Sequence, residues 1–292
     1  MSFWNLPERK PEPSSPRNEL SLLPASRALR LETDPYPHIV VENALPDGLY
    51  DRLESTYPSE ARIRRGKKVA HRDQLMARDI LGDQTYSALW REFVSLHTSA
   101  AFYQSLLGYF APCVRKTYPW LEENLGRTLE SCEVGVRDPE ARRLPDICMD
   151  CQPGLNTVSL EPMTPRTAHL DANNKLFTGI FYLKPDADGS RGGDFVIYRL
   201  RTDSPRFLTE TTVDGRDIEE ARIVPYQKNC AVFFMNSPLS FHGVTVREGT
   251  PVARRLVNIV GGLYTLRRKT LFSSPPREEI RQTFVPDPFS RP

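Results

Sequence analysis

A histidine and an aspartate separated by one residue, His169 and Asp171, standing just before the apolar run Leu176 to Leu183, constrain this chain more than any other feature. Side chains two apart on a β-strand project from the same face, so the pair reads as a strand edge presenting an imidazole and a carboxylate together. Two such ligands leave a metal short of partners, and His242, in Ser240-Phe241-His242-Gly243-Val244, supplies a third. Two imidazoles and one carboxylate occupy one side of an octahedron and leave positions open opposite, the donor set of a mononuclear non-haem Fe(II) that must bind further ligands. Neutral imidazoles hold the ion without cancelling its charge, while the carboxylate removes one unit. An H-x-D tripeptide carries little by itself, because both residues are common in turns and surface strands. Here the chain has only five histidines, and two of them stand where this donor set needs them.

Beyond His242, the run Arg254-Arg255-Leu256-Val257-Asn258-Ile259-Val260 has the β-branched character of a buried strand opened by a guanidinium. The planar arginine fork grips a carboxylate through two parallel hydrogen bonds. Alternation lets only one of the two arginines face inward. Arg255, in register with Val257 and Ile259, is the assignment, with Arg254 as the alternative.

The segment His169 to Arg199, HLDANNKLFTGIFYLKPDADGSRGGDFVIYR, resembles the core of the prolyl-hydroxylase-like branch of 2-oxoglutarate- and iron-dependent oxygenases. The matching order is H-x-D, a strand ending in Phe181-Tyr182-Leu183, a polar loop, and Gly192-Gly193 before Asp194-Phe195. It continues through Ala231 to Phe234, His242, and Arg255 ahead of Leu256-Val257, covering roughly residues 155 to 265, with a weaker echo at Pro37 to Val41. The resemblance implies a mainly β fold with flanking helices, a double-stranded β-helix of the jelly-roll, cupin-like kind. It implies Fe(II) on His169, Asp171 and His242, and 2-oxoglutarate anchored by Arg255, hydrogen-bonded by Tyr182, in a pocket lined by Thr178. With O₂ as the other co-substrate, the activity expected is hydroxylation of an unactivated C–H bond with release of succinate and CO₂. Halogenases of this fold have a small residue where this chain has Asp171, so hydroxylation is favoured, with desaturation and cyclisation as related outcomes. His242 and Arg255 are 13 positions apart, longer than is usual in that branch. An insertion in the turn Arg247 to Pro251 absorbs the difference and keeps Arg254 open as the anchor.

At 292 residues, 39% hydrophobic and 26% charged, the chain is of a size and composition to bury a substantial core. A net charge of +2 gives no reason to expect nucleic-acid or membrane-surface binding. Five sparse cysteines and the lack of an apolar leader or long apolar span fit a cytoplasmic protein. Cys148-Met149-Asp150-Cys151 lacks the second ligand pair of a zinc site, so two free thiols are expected. The divisions are a flexible Pro-rich arm over 1–26, a strand-plus-helix part over 27–130, the β-helix core over 131–266 and a tail over 267–292. Helices are predicted over Pro46–Pro58, Tyr86–Leu107 and Val114–Leu125. The basic stretch Arg62 to Arg78 reads as a solvated surface, His38 as a strand-edge histidine, and Gly189 to Gly193 as a turn.

Arg166 and Lys175, with Asn156 and Asn173, are the candidates for holding a small acidic or amino-acid-like substrate. Two other readings stay open. One is a cupin-type metal enzyme that does not use 2-oxoglutarate, and the other is a binding domain with a silent triad.

Overall fold

The β-branched and aromatic runs of the core are buried on both faces, so they lie inside a layered structure rather than at its surface. A computed structural model describes residues 19–24, 27–65, 72–156, 158–201, 215–265 and 271. Among them the strands are β1 (His38–Val41), β2 (Arg72–Gln74), β3 (Val134–Val136), β4 (Ile147–Asn156), β5 (Lys175–Tyr182), β6 (Phe195–Leu200), β7 (Ile218–Val224), β8 (Ala231–Met235), β9 (His242–Val244) and β10 (Arg254–Gly262). The helices are α1 (Asp47–Ser55), α2 (Glu60–Arg64), α3 (Ala77–Leu81), α4 (Ala88–His97), α5 (Ala100–Thr117) and α6 (Leu121–Leu125).

The large sheet runs β1-β8-β5-β10-β4-β2, with β3 parallel to β4, and the small one runs β7-β6-β9. An isolated antiparallel bridge between His169 and His242 adds a further edge beside β9. From β4 onward the chain crosses repeatedly between the two sheets, which is the winding of a double-stranded β-helix. Strands β1 and β2, from the N-terminal part, extend the large sheet at its two ends.

Alternation sorts the large sheet's side chains. Phe177 and Phe181 of β5, Phe233 of β8, and Val257 and Ile259 of β10 belong to the core beneath the helices. Phe93 of α4 meets Phe181 at 6.0 Å between ring centroids, and Phe102 and Phe110 of α5 meet Phe233 and Phe177 at 6.0 and 5.7 Å. Each such buried ring contributes about 1.5–3 kcal/mol of hydrophobic stabilisation. The intervening residues, including Thr178, Ile180, Tyr182, Leu256 and Asn258, point the other way and line a cavity between the sheets.

The single helix expected over Tyr86–Leu107 is two. Helix α4 stops where Thr98 Oγ1 donates back to Val94 O (2.8 Å), and Ser99 caps α5 by accepting from Phe102 N (3.2 Å). Apolar periodicity continues across that break, so the pattern hides what the Thr-Ser pair announces. The helix expected over Val114–Leu125 likewise divides into the end of α5 and the separate α6. Within the expected arm, Leu20, Leu22 and Leu23 are buried, and Leu22 N donates to His97 Nε2 (3.2 Å). This part of the arm therefore packs into the core. Residues 1–18 and 25–26 of the arm, the tail apart from Leu271, and most of the polar excursion after Arg201 lie outside the described residues. All five cysteines are free and buried. His38 has its Nδ1 against Tyr36 O (2.8 Å) and its Nε2 near Arg222.

Candidate metal centre

The His169–His242 bridge sets the centre. His169 N donates to His242 O (2.9 Å) and His242 N to His169 O (3.0 Å), which holds the two rings 4.3 Å apart between centroids. Leu170 turns into the core while Asp171 returns to the side of His169. One ligand atom from each of His169, Asp171 and His242 can be chosen so that all three lie within 4.8 Å of one another. Where a regular strand is expected at H-x-D, a single bridge does the positioning.

The donor atoms are prepared for a cation. His169 Nδ1 lies 2.8 Å from Thr167 O and His242 Nδ1 lies 2.9 Å from Ser240 O. Each contact requires the proton on Nδ1 and leaves Nε2 as the lone pair, the arrangement that orients a metal-bound histidine. His169 Nε2 is buried with no hydrogen-bond partner. Burial, reinforced by the Arg166 charge, pushes the His169 pKa down to about 2, and burial also lowers that of His242. Both rings are therefore neutral at ordinary pH. Burial alone would raise the Asp171 pKa, but the Lys175 ammonium and the hydrogen bonds from Lys175 and Thr178 more than offset it and the carboxyl lies well below its usual range. Lys175 Nζ contacts Asp171 Oδ1 (2.9 Å) and Thr178 Oγ1 donates to Oδ2 (2.7 Å). A carboxylate has about four lone-pair sites, so room remains for a metal.

The same cavity runs from the triad to a buried arginine, and that arginine is Arg254. Its Nε donates to Gly193 O (2.9 Å) and its Nη1 to Asn156 Oδ1 (3.0 Å). Its guanidinium carbon lies 4.9 Å from the Tyr182 ring centroid and 4.8 Å from that of Tyr226. Two of five N–H donors are thus committed, which fixes the fork and leaves the rest for a ligand. Gly192 makes the loop contact possible: its φ is +75°, and a Cβ there would come 1.9 Å from Val246 O. The buried Arg247–Asp188 pair (2.6 Å) holds the same loop through Ser190.

The expected anchor Arg255 is placed elsewhere. It points to the outer face, where it pairs with Glu54 (2.9 Å). Val257 and Ile259 do share its face, but that face lies under the helices and not on the cavity. Tyr182 and Thr178 both line the cavity. Tyr182 Oη is buried beside Arg254 without a hydrogen bond of good geometry, and Thr178 braces Asp171. Arg166, Lys175 and Asn156 line it as well, Asn156 as a partner of Arg254. Asn173 does not line it, and its carbonyl accepts from Leu271 N (2.8 Å).

Two polar residues lining the cavity were not visible as site residues in the sequence. Asn258, with Nδ2 buried and unpaired, was visible as the one polar residue in an apolar run. Arg72 sat among basic residues read as surface. Arg62, Arg64, Arg65 and Arg78 do pair with acids there, but Arg72 turns to the cavity.

No protein-family model matches the chain, and no curated protein matches it. Among solved structures, the non-heme alpha ketoglutarate dependent epimerase SnoN from nogalamycin biosynthesis is similar at 13% identity, over 78% of this chain and 79% of that one, with a TM-score of 0.41. A Pseudomonas putida prolyl-4-hydroxylase is similar at 13% identity, over 77% and 92%, with a TM-score of 0.39. An oxidoreductase of the 2OG-Fe(II) oxygenase family from Burkholderia pseudomallei is similar at 10% identity, over 80% and 88%, also with a TM-score of 0.39. At such values the chemistry of the cavity stands or falls on its own atoms.

Proposed function

We propose that the protein is a 2-oxoglutarate- and Fe(II)-dependent oxygenase that hydroxylates a C–H bond of a small substrate. The observation that carries this reading is the set of buried polar atoms without partners in one cavity: His169 Nε2, Tyr182 Oη and Asn258 Nδ2. Leaving a buried polar atom unpaired costs about 1–3 kcal/mol, so three facing one cavity mark a site made for a polar ligand. Two imidazole lone pairs and a carboxylate at one end suit Fe(II). The fixed fork of Arg254 with the Tyr182 hydroxyl at the other end suits a carboxylate, and 2-oxoglutarate has a carboxylate at each end to span such a cavity.

Bound there, Fe(II), 2-oxoglutarate and O₂ supply the oxidant that hydroxylates carbon, while 2-oxoglutarate is converted to succinate and CO₂. The chain's own residues hold and orient these groups. Thr178 and Lys175 keep Asp171 ionised and fixed, the Thr167 and Ser240 carbonyls aim the imidazoles, and Asn156 with Gly193 aims Arg254. An inward arginine also separates this reading from a cupin-type enzyme, which has no need to hold a dicarboxylate.

The test is anaerobic addition of Fe(II) and then 2-oxoglutarate to the purified protein, watched for the weak visible charge-transfer band of the chelate. The band should appear in wild type, vanish in Asp171→Ala and weaken in Arg254→Ala. Iron binding without the band would give the site to a cupin-type activity, and no binding of either would end the enzymatic reading.

A further inference from the structure

We infer that the substrate is a small molecule carrying a phosphate monoester, held at the cavity mouth by Arg72 and Arg166. This deepens the oxygenase reading and rests on it for the identity of the reaction, though not for the existence of the anion site.

The cavity wall is unbalanced in charge. Arg72, Arg166, Lys175 and Arg254 all line it, with Asp171 as the only acid among its lining residues. Lys175 is paired with Asp171, and Arg254 is held by Asn156 and Gly193. Among the described residues, neither Arg72 nor Arg166 has an ion pair or a side-chain hydrogen bond. Arg62, Arg64, Arg65 and Arg78 of the same basic stretch are paired with acids, whereas Arg72 is turned to the cavity. The Arg72 and Arg166 side chains are both exposed at the rim of the cavity, so two guanidinium forks that no protein acid occupies face an incoming anion from the same opening.

Register explains how they converge. Arg72 on β2 is paired with Asn156 on β4, and Asn156 with Arg254 on β10, so the two arginines flank one asparagine in a single row across the large sheet. Neighbouring strands are about 4.8 Å apart, which puts Arg72 about 10 Å along that row from the proposed co-substrate anchor. Arg166 comes from the opposite side, three residues before His169, where its carbonyl accepts from Val244 N (2.9 Å). A ligand gripped by both guanidiniums would sit on the triad's side of the cavity, apart from Arg254. Fe(II), the 2-oxoglutarate dianion, Asp171, Lys175 and Arg254 together leave a positive balance, so the loaded centre would not neutralise the two arginines either. Two guanidiniums call for a compact dianion, and a phosphate monoester carries about −1.5 to −2 at neutral pH with three acceptor oxygens for two forks.

Phenyl phosphate is the probe, titrated calorimetrically into metal-free protein and again into protein holding Fe(II) and 2-oxoglutarate without oxygen. Wild type should bind it in both states. Arg72→Gln and Arg166→Gln should each weaken binding about tenfold or more, the loss expected for a charge-assisted hydrogen-bond partner. The double variant should show none, Arg72→Lys should recover part of the loss, and Arg191→Gln, outside the cavity, should match wild type. Equal affinity in wild type and the double variant, or benzoate binding as tightly as phenyl phosphate, would overturn the proposal. Phosphate binding without the chelate band would sink the oxygenase reading and leave the anion site standing. The band without phosphate binding would do the reverse.

Discussion

The large sheet has two faces made from alternate residues of the same strands, and the chain uses them in opposite ways. On the helix side, Phe177, Phe181 and Phe233 interlock with Phe93, Phe102 and Phe110, and the surface is sealed by apolar carbon. On the cavity side, Tyr182 Oη and Asn258 Nδ2 are buried without partners, and two arginines stand without acids. The first face stabilises the fold, and the second gives up stability to keep polar groups ready for ligands. A variant on one face should therefore move stability and leave binding alone, and a variant on the other should do the opposite.

The largest effect is expected on the helix side. Phe233 is fully buried, and its ring fills the space a Cβ on Gly179 would take, 2.4 Å from that position. Phe233→Ala should cost about 3–5 kcal/mol through lost burial and an unfilled cavity. Urea denaturation should show that loss as a lower midpoint, while the affinity of the folded protein for 2-oxoglutarate changes by less than about threefold. A loss of affinity in step with stability would mean that the two faces are not independent.

A pH series sharpens the same contrast. His97, at the end of α4, has its Nδ1 2.8 Å from Phe93 O and accepts from Leu22 N on its Nε2, and burial pushes its pKa down to about 4. Its folded pKa lies below the unfolded value of about 6.5, so the unfolded chain takes up the proton first as pH falls. The contribution is complete above about pH 6.5 and is lost progressively towards pH 4, by about 3 kcal/mol at the lower end. Stability measured between pH 6 and pH 4.5 should fall less steeply in His97→Gln, by about 1.4 kcal/mol per pH unit. An unchanged slope would shift the acid sensitivity to the buried histidines of the cavity side.

The ligand chemistry was legible in the sequence because it depends on residue type and short spacing. His169 and Asp171 lie two apart, and His242 lies in a strand that returns beside them. The double-stranded β-helix was legible through the resemblance of the segment His169 to Arg199, which carries H-x-D, Phe181-Tyr182-Leu183 and Gly192-Gly193 in that family's order. What could not be read was which face of a doubly buried strand meets the cavity. Val257 and Ile259 are as buried as Leu256, so hydrophobicity assigns no side to β10. Arg72 was hidden for a different reason: its direction is decided by pairing with Asn156, about eighty positions later in the chain. Thr178, expected as a pocket lining, also braces a metal ligand, a contact that only the three-dimensional closeness of β5 and Asp171 reveals.

Arg254 and Arg255 compress the comparison of faces into two adjacent residues. Arg254 is 3% exposed, aimed by Asn156 and Gly193 and set over two tyrosine rings. Arg254→Gln should weaken 2-oxoglutarate binding by about 10- to 100-fold, since it removes a charged bidentate partner from a dry site, and the chelate titration reads that change directly. Arg255 instead shares a partly exposed ion pair with Glu54, whose side chains are 35% and 27% exposed. Such pairs contribute between nothing and about 1 kcal/mol because water screens them. Arg255→Ala should therefore lower the urea midpoint slightly and leave the 2-oxoglutarate titration at its wild-type value. If Arg255→Ala weakened 2-oxoglutarate binding and Arg254→Gln did not, β10 would have to turn its other face to the co-substrate. Leu256 and Asn258 would then leave the cavity together with Arg254, because one strand cannot turn one arginine inward without its whole alternating set.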